Sequence, residues 1–232
     1  MDYDKYLNPA VAALPPSGIR RFFELASSIR DCISLGVGEP DFVTPWEIRD
    51  AAIKSVQAGK TQYTSNAGLL SLREEIAGYL SARFNAVYEP GSEIIVTIGA
   101  SEAIDLALRT LVCPGDEVLI PSPSYVSYAP NAAITGGVAV AVETSAKNGF
   151  ALTPELLEKA ITPRSKVLIL PYPNNPTGAI MTRAQLEKIA EVAERNDLFV
   201  ISDEIYAELT YGQKHASFAA IPGMKKRTIL IN

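Results

Sequence analysis

Asp203 closes the apolar run Leu198-Phe199-Val200-Ile201-Ser202 and is followed by Glu204-Ile205-Tyr206. A carboxylate at the end of a buried strand loses its hydration and stays ionised only if a cation meets it. Cations are few in the neighbouring sequence, and Lys214 sits in a separate polar stretch. A protonated heterocyclic nitrogen on a bound ligand would serve; a helix N-cap aspartate is the alternative. Three other segments carry comparable chemistry. In Ile98-Gly99-Ala100-Ser101-Glu102 a glycine permits a sharp turn, an alanine keeps the volume low and a serine brings a hydroxyl to a helix start. Unpaired amides and the positive end of the helix dipole make that an anion site, or simply a capped helix. Pro121-Ser122-Pro123-Ser124-Tyr125 stiffens the chain around an aromatic ring that could stack on a flat ligand or serve as an ordinary core or surface tyrosine. Pro171-Tyr172-Pro173-Asn174-Asn175-Pro176-Thr177-Gly178 is far more rigid than a β-to-α turn requires, and it offers amide donors to a ligand oxygen.

All four segments follow apolar runs, and the pattern around them predicts what positions them. Strands are expected at Glu93–Ile98, Glu117–Ile120, Val138–Val142, Val167–Leu170 and Leu198–Ser202, with a further one at Thr228–Asn232. Helices are expected at Pro45–Ala58, capped by Thr44, and at Leu69–Phe84, Ser101–Val112, Tyr125–Thr135, Thr153–Ile161 and Thr182–Asn196. Short apolar runs without alternation are strands buried on both faces. The α/β alternation therefore argues for a doubly wound, mainly parallel sheet with helices on both faces, where ligands bind outside the carboxyl ends of the strands. Residues 1–44 differ: Pro9, Pro15, Pro16 and Pro40 interrupt them, leaving room for one short helix near Gly18–Ile29. They read as an N-terminal arm and part of a smaller domain, with 45–232 as the large domain.

The 232 residues carry a net charge of −5, with 47% hydrophobic and 20% charged side chains. No basic stripe supports nucleic acid as a partner, and no apolar run supports a membrane span. The N-terminal MDYDKYLNP has neither the basic nor the apolar region of a signal peptide, so a cytoplasmic location with Cys32 and Cys113 reduced is expected. One histidine, His215, and two scattered cysteines argue against a metal site, and His215 reads as a loop residue. Gly59-Lys60-Thr61 has Lys54 where a phosphate-binding loop needs glycine, and Gly36-Val37-Gly38 lacks a third glycine. Neither is a nucleotide site.

Taken together, Gly99-Ala-Ser-Glu-Ala, Pro173-Asn-Asn-Pro-Thr-Gly and Ser202-Asp-Glu-Ile-Tyr, in this order and spacing, resemble the class I/II aminotransferases, fold-type I enzymes that use pyridoxal 5′-phosphate. Leu35-Gly-Val-Gly-Glu-Pro-Asp-Phe and Gln62-Tyr63 fit as well, so the resemblance covers essentially the whole chain. It implies that Ala100 and Ser101 bind the cofactor phosphate, that Tyr125 stacks on the ring, and that Asn175 and Tyr206 bond the phenolic oxygen. Asp203 would pair with the protonated ring nitrogen. Gly38 and Asn175 would approach the substrate carboxylate, and Tyr63 the phosphate of a partner subunit, which implies a homodimer. The implied reaction moves an amino group between an L-amino acid and a 2-oxo acid by ping-pong chemistry.

The family's Schiff-base lysine follows the strand matched by Thr228–Asn232, so it is expected just past Asn232. Lys225 and Lys226 precede that strand and lie at its other end. The chain by itself is accordingly expected to be inactive, with no catalytic residue of its own. A C–S β-lyase on the same fold and a non-catalytic regulatory module of that fold are the alternatives, and the amino-acid substrate is open.

Overall fold

A computed structural model of the chain describes residues 4–15, 25, 26, 28–33, 38 and 42–232. The helix expected near Gly18–Ile29 and the segment Leu35–Phe42 fall largely outside these residues. The chain divides into two compact units, one of residues 1–14 with 66–232 and one of residues 15–65.

The larger unit is built on five strands: β1 (Glu117–Ser122), β2 (Val138–Glu143), β3 (Ser165–Leu170), β4 (Phe199–Asp203) and β5 (Thr228–Ile231). Their order across the sheet is β2-β1-β3-β4-β5, and every neighbouring pair is parallel. Alternate side chains enter two separate cores. Val118, Ile120, Val167, Ile169 and Ile201 pack with Ile104, Ala107 and Leu108 of the Gly99–Leu111 helix and Ala132 of the Tyr128–Ile134 helix. Leu119, Leu168, Leu170 and Val200 pack instead with Leu157 of the Pro154–Ala160 helix and with Leu186, Ile189 and Ala193 of the Arg183–Arg195 helix. The sheet is thus covered on both faces, as the unbroken apolar runs require. Each fully buried leucine or isoleucine here contributes about 1.5–3 kcal/mol by leaving water.

Local signals set the helix ends. Thr182 and Gln185 form a reciprocal capping box: the Thr182 hydroxyl accepts from the Gln185 amide at 3.3 Å, and Gln185 Oε1 accepts from the Thr182 amide at 2.8 Å. Thr153 accepts from the Leu156 amide, with Pro154 at the first helical position. The helix expected over Pro45–Ala58 forms as Trp46–Gln57 in the smaller unit; Pro45 is its N-cap, and among the described residues no side chain, Thr44 included, bonds to its start.

One expected strand does not form. Glu93–Ile98 pairs with no strand among the described residues; Val96 donates to the Ala67 carbonyl at 3.0 Å, and Ile95 and Ile98 are exposed. A strand is defined by its neighbour's hydrogen bonds, and an apolar run supplies only half of that definition.

Candidate active site

The chain enters the sheet at β1, passes outward to β2, then crosses back to β3 on the far side of β1 and continues to β4 and β5. The winding direction therefore reverses between β1 and β3. At the carboxyl end of such a reversal the loops diverge and leave a crevice. A cleft of about 200 Å³ lies there, lined by Ala100, Ser101, Ile104, Tyr125, Tyr128, Pro173, Asn175, Asp203, Ile205 and Tyr206. Six of the eight site residues expected from sequence are among them: Ala100, Ser101, Tyr125, Asn175, Asp203 and Tyr206. The other two, Gly38 and Tyr63, belong to the smaller unit, where both are exposed.

Gly99 begins its helix with φ +74°, a conformation that side-chain-bearing residues adopt only with strain. The turn it makes brings the first helical amides to the cleft. No protein acceptor takes the amides of Ala100 and Ser101 among the described residues. The Glu102 carboxylate instead reaches back to the Ile98 amide. Two free donors and the positive helix end suit an anion.

The Pro171–Gly178 loop divides its two asparagines. Asn174 is buried and holds the loop together: its Oδ1 accepts from the Thr177 hydroxyl at 2.8 Å and amide at 3.2 Å, its amide donates to the Ala179 carbonyl, and its carbonyl accepts from the Gly178 amide. Asn175 is exposed at the cleft with its side chain available. The Tyr172–Pro173 and Asn175–Pro176 peptide bonds are cis.

Asp203 forms the cleft's charged wall. It is only 5% exposed, and it has no ion pair among the described residues. Its Oδ2 accepts from the Tyr128 hydroxyl at 2.7 Å and its Oδ1 from the Ile205 amide at 3.3 Å. Burial pushes its carboxyl above the usual carboxylate range, and the two donors pull only partly in the opposite direction. Burial, followed by the charge of Asp203, pushes the Tyr128 phenol upward as well, so it remains a neutral donor. Tyr125 meets Tyr128 edge to face, with ring centroids 5.6 Å apart at 82°.

Sequence reasoning missed two residues here. Tyr128 escaped because its partner is 75 positions away; its place three residues after Tyr125, on the same side of a helical turn, was the available signal. His215 is no plain loop residue: its Nε2 lies 2.7 Å from Glu204 Oε2, and the two side chains are 6% and 1% exposed. Among the described residues, no group of three His, Cys, Asp or Glu is placed to hold a metal ion. No helix among them is long and apolar enough to cross a membrane.

The family model for aminotransferase class I and II matches residues 30–231. The Bacillus subtilis (strain 168) protein YugH is 51% identical over 98% of this chain and 59% of its own length. An aspartate aminotransferase of Pyrococcus abyssi is 44% identical over 94% of this chain and 56% of its own. Among solved structures, a Thermus thermophilus aspartate aminotransferase double mutant superposes with a TM-score of 0.92 at 38% identity, covering 97% of this chain and 59% of that one. The chain thus spans less than two thirds of the relatives it matches. The converging strand-end loops, the parallel sheet that carries them and the match along residues 30–231 lead to one conclusion: this chain belongs to the class I and II aminotransferase family.

Proposed function

We propose that these residues form the cofactor-holding part of a pyridoxal-phosphate-dependent aminotransferase that exchanges an amino group between an L-amino acid and a 2-oxo acid. The family is pyridoxal-phosphate dependent, and the cleft suits that group. The observation that carries the reading is Asp203, a buried carboxylate facing a cleft with no cation to meet it among the described residues. A pyridine nitrogen that stays protonated is the partner it lacks. The free Ala100 and Ser101 amides match a phosphate, and the ring of Tyr125 matches a flat heterocycle between the two.

When bound, pyridoxal phosphate supplies an electron sink conjugated with the reacting carbon. This chain's residues bind and orient. Ser101 and the helix start would hold the phosphate end, Tyr125 would cover the ring, and Asp203 would hold the proton on the ring nitrogen. Asn175 and Tyr206 would donate to the ring oxygen, and Asn175 would receive the substrate carboxylate. Tyr63, whose side chain is fully exposed in its own unit, is the residue that would reach a partner subunit's phosphate, which makes the active form a homodimer. Cytoplasmic residence belongs to the same reading, with Cys32 and Cys113 as free thiols.

The test is to supply the full-length protein with pyridoxal phosphate, an amino acid and a 2-oxo acid, and to follow both products. A new amino acid and a new oxo acid in equal amounts support the reading. Pyruvate with free ammonia would identify a lyase, and no turnover together with no cofactor binding would refute the assignment.

A further inference from the structure

We propose that Tyr128 is the positioning residue for Asp203, fixing the plane of its carboxylate and holding it in the ionised, accepting state toward the cleft. The inference rests on the reading of the cleft given above and assigns a role to a residue that none of the strand-end motifs contains.

The geometry is specific. Two donors reach Asp203, one on each oxygen, so the carboxylate cannot rotate without breaking a bond. Of these the Tyr128 bond is the shorter, at 2.7 Å against 3.3 Å. A phenol has one proton to give, and Tyr128 gives it here from a ring that is 3% exposed. That ring is itself fixed: it belongs to the core that contains Ile104, Ala132 and Ile201, and Tyr125 abuts its edge. The donated proton favours the ionised carboxylate, which opposes the effect of burial. An ionised Asp203 accepts a proton-bearing ring nitrogen, whereas a protonated one competes with it. The other ionisable groups bearing on the pair are Glu204 beside it in the chain, Tyr125 ahead of the helix and Tyr206 in the next loop.

A tyrosine that merely filled space would leave the titration of Asp203 unmoved when its hydroxyl is removed. The experiment uses cofactor-free, full-length protein labelled with carbon-13 at aspartate carboxyls, the Asp203 signal being assigned by its disappearance in Asp203→Asn. In Tyr128→Phe the Asp203 midpoint is expected to rise by about one pH unit. A 3,5-difluorotyrosine at position 128, a stronger donor of nearly the same shape, moves the midpoint downward and keeps the test decisive should the phenylalanine variant fail to fold. Pyridoxal phosphate affinity, read by quenching of tyrosine fluorescence at a pH below both measured Asp203 midpoints, should weaken roughly tenfold in Tyr128→Phe, the binding equivalent of one pH unit. A midpoint unchanged in folded Tyr128→Phe, or unmoved by the fluorinated ring, overturns the proposal. Failure of the unmodified protein to bind pyridoxal phosphate would instead sink the reading of the cleft, and the titration would still decide whether Tyr128 holds Asp203.

Discussion

His215 and Glu204 form a buried pair, 2.7 Å apart, immediately behind the carboxylate that faces the cleft. Glu204 Oε1 also accepts from the Ser202 hydroxyl at 2.8 Å, the Phe218 amide at 2.9 Å and the Ser217 hydroxyl at 3.2 Å. The Glu204 amide donates to the Ile231 carbonyl of β5 at 2.8 Å. One residue therefore ties together the end of β4, the 215–218 segment and the neighbouring strand. Removing one partner leaves a buried Glu204 oxygen without its hydrogen bond, so His215→Ala is expected to cost about 1–3 kcal/mol of stability. A urea-denaturation double-mutant cycle with Glu204→Gln should show the two changes to be non-additive; simple additivity would mean that the pair is not coupled.

Asp203 should trade stability for binding. Its folded-state carboxyl is held above the ordinary range, chiefly by burial. A raised folded value means that its contribution favours folding below the unfolded carboxylate range and is lost as pH rises through the folded value. At neutral pH the cofactor-free Asp203→Asn variant should therefore be at least as stable as the parent, while its affinity for pyridoxal phosphate falls by roughly tenfold or more. Denaturation at neutral pH and a binding titration check the two halves separately; a less stable variant with intact affinity would contradict both.

Glu117 should behave in the opposite sense. At the start of β1 it is 3% exposed and accepts from the Thr162 hydroxyl at 2.6 Å, the Arg164 guanidinium at 2.7 Å and the Ser165 hydroxyl at 2.9 Å. These donors, with Thr162 foremost, hold its carboxyl below the usual range despite burial. The stabilisation is present above the ordinary glutamate range and is lost as pH falls through the depressed folded value. The stability gap between the parent and Glu117→Gln should thus be wide at neutral pH and narrow toward about pH 3. A gap independent of pH would show that the ionised form is not what matters.

Gly99→Ala isolates backbone strain from crowding, because a methyl group there meets no atom within 4 Å. Its φ of +74° remains costly for alanine, by about 1–2 kcal/mol. Since Gly99 sets the helix start, relaxation of the turn should weaken pyridoxal phosphate binding more than binding of pyridoxal, which lacks the anion. Equal losses for the two ligands would argue against an anion site at Ala100 and Ser101.

The sequence was most readable where chemistry and local structure coincide. Asp203, Asn175 and Tyr125 each follow an apolar run, and a buried parallel sheet brings such positions to one edge whatever its strand order. The strand expected at Glu93–Ile98 failed for the complementary reason: pairing depends on a second segment, and the Val96 amide goes to the carbonyl of Ala67, which lies in no strand. The roles of Tyr128 and Asn174 were likewise invisible, since each is defined by what its side chain touches. Asn174 and Asn175 are chemically identical neighbours, and only the fold shows that one is consumed by its own loop and the other is left facing the cleft. His215 was discounted for its polar surroundings, Gly212-Gln213-Lys214, although its own side chain turns inward to Glu204.

The strand that ends in Asp203 also works as a counting device. Ile201 and Asp203 face the core beside the cleft, whereas Ser202 and Glu204 point to the opposite side, toward Phe218 and His215. Parity alone decides which of two adjacent carboxylates meets the ligand and which meets the histidine, because successive side chains on a strand alternate faces. Deleting one residue between Leu198 and Ser202 would exchange the two acids, placing the longer one against Tyr128 and the shorter one out of reach of His215. Substitutions along β4 can therefore be conservative in chemistry, but this stretch has no tolerance for a change in length.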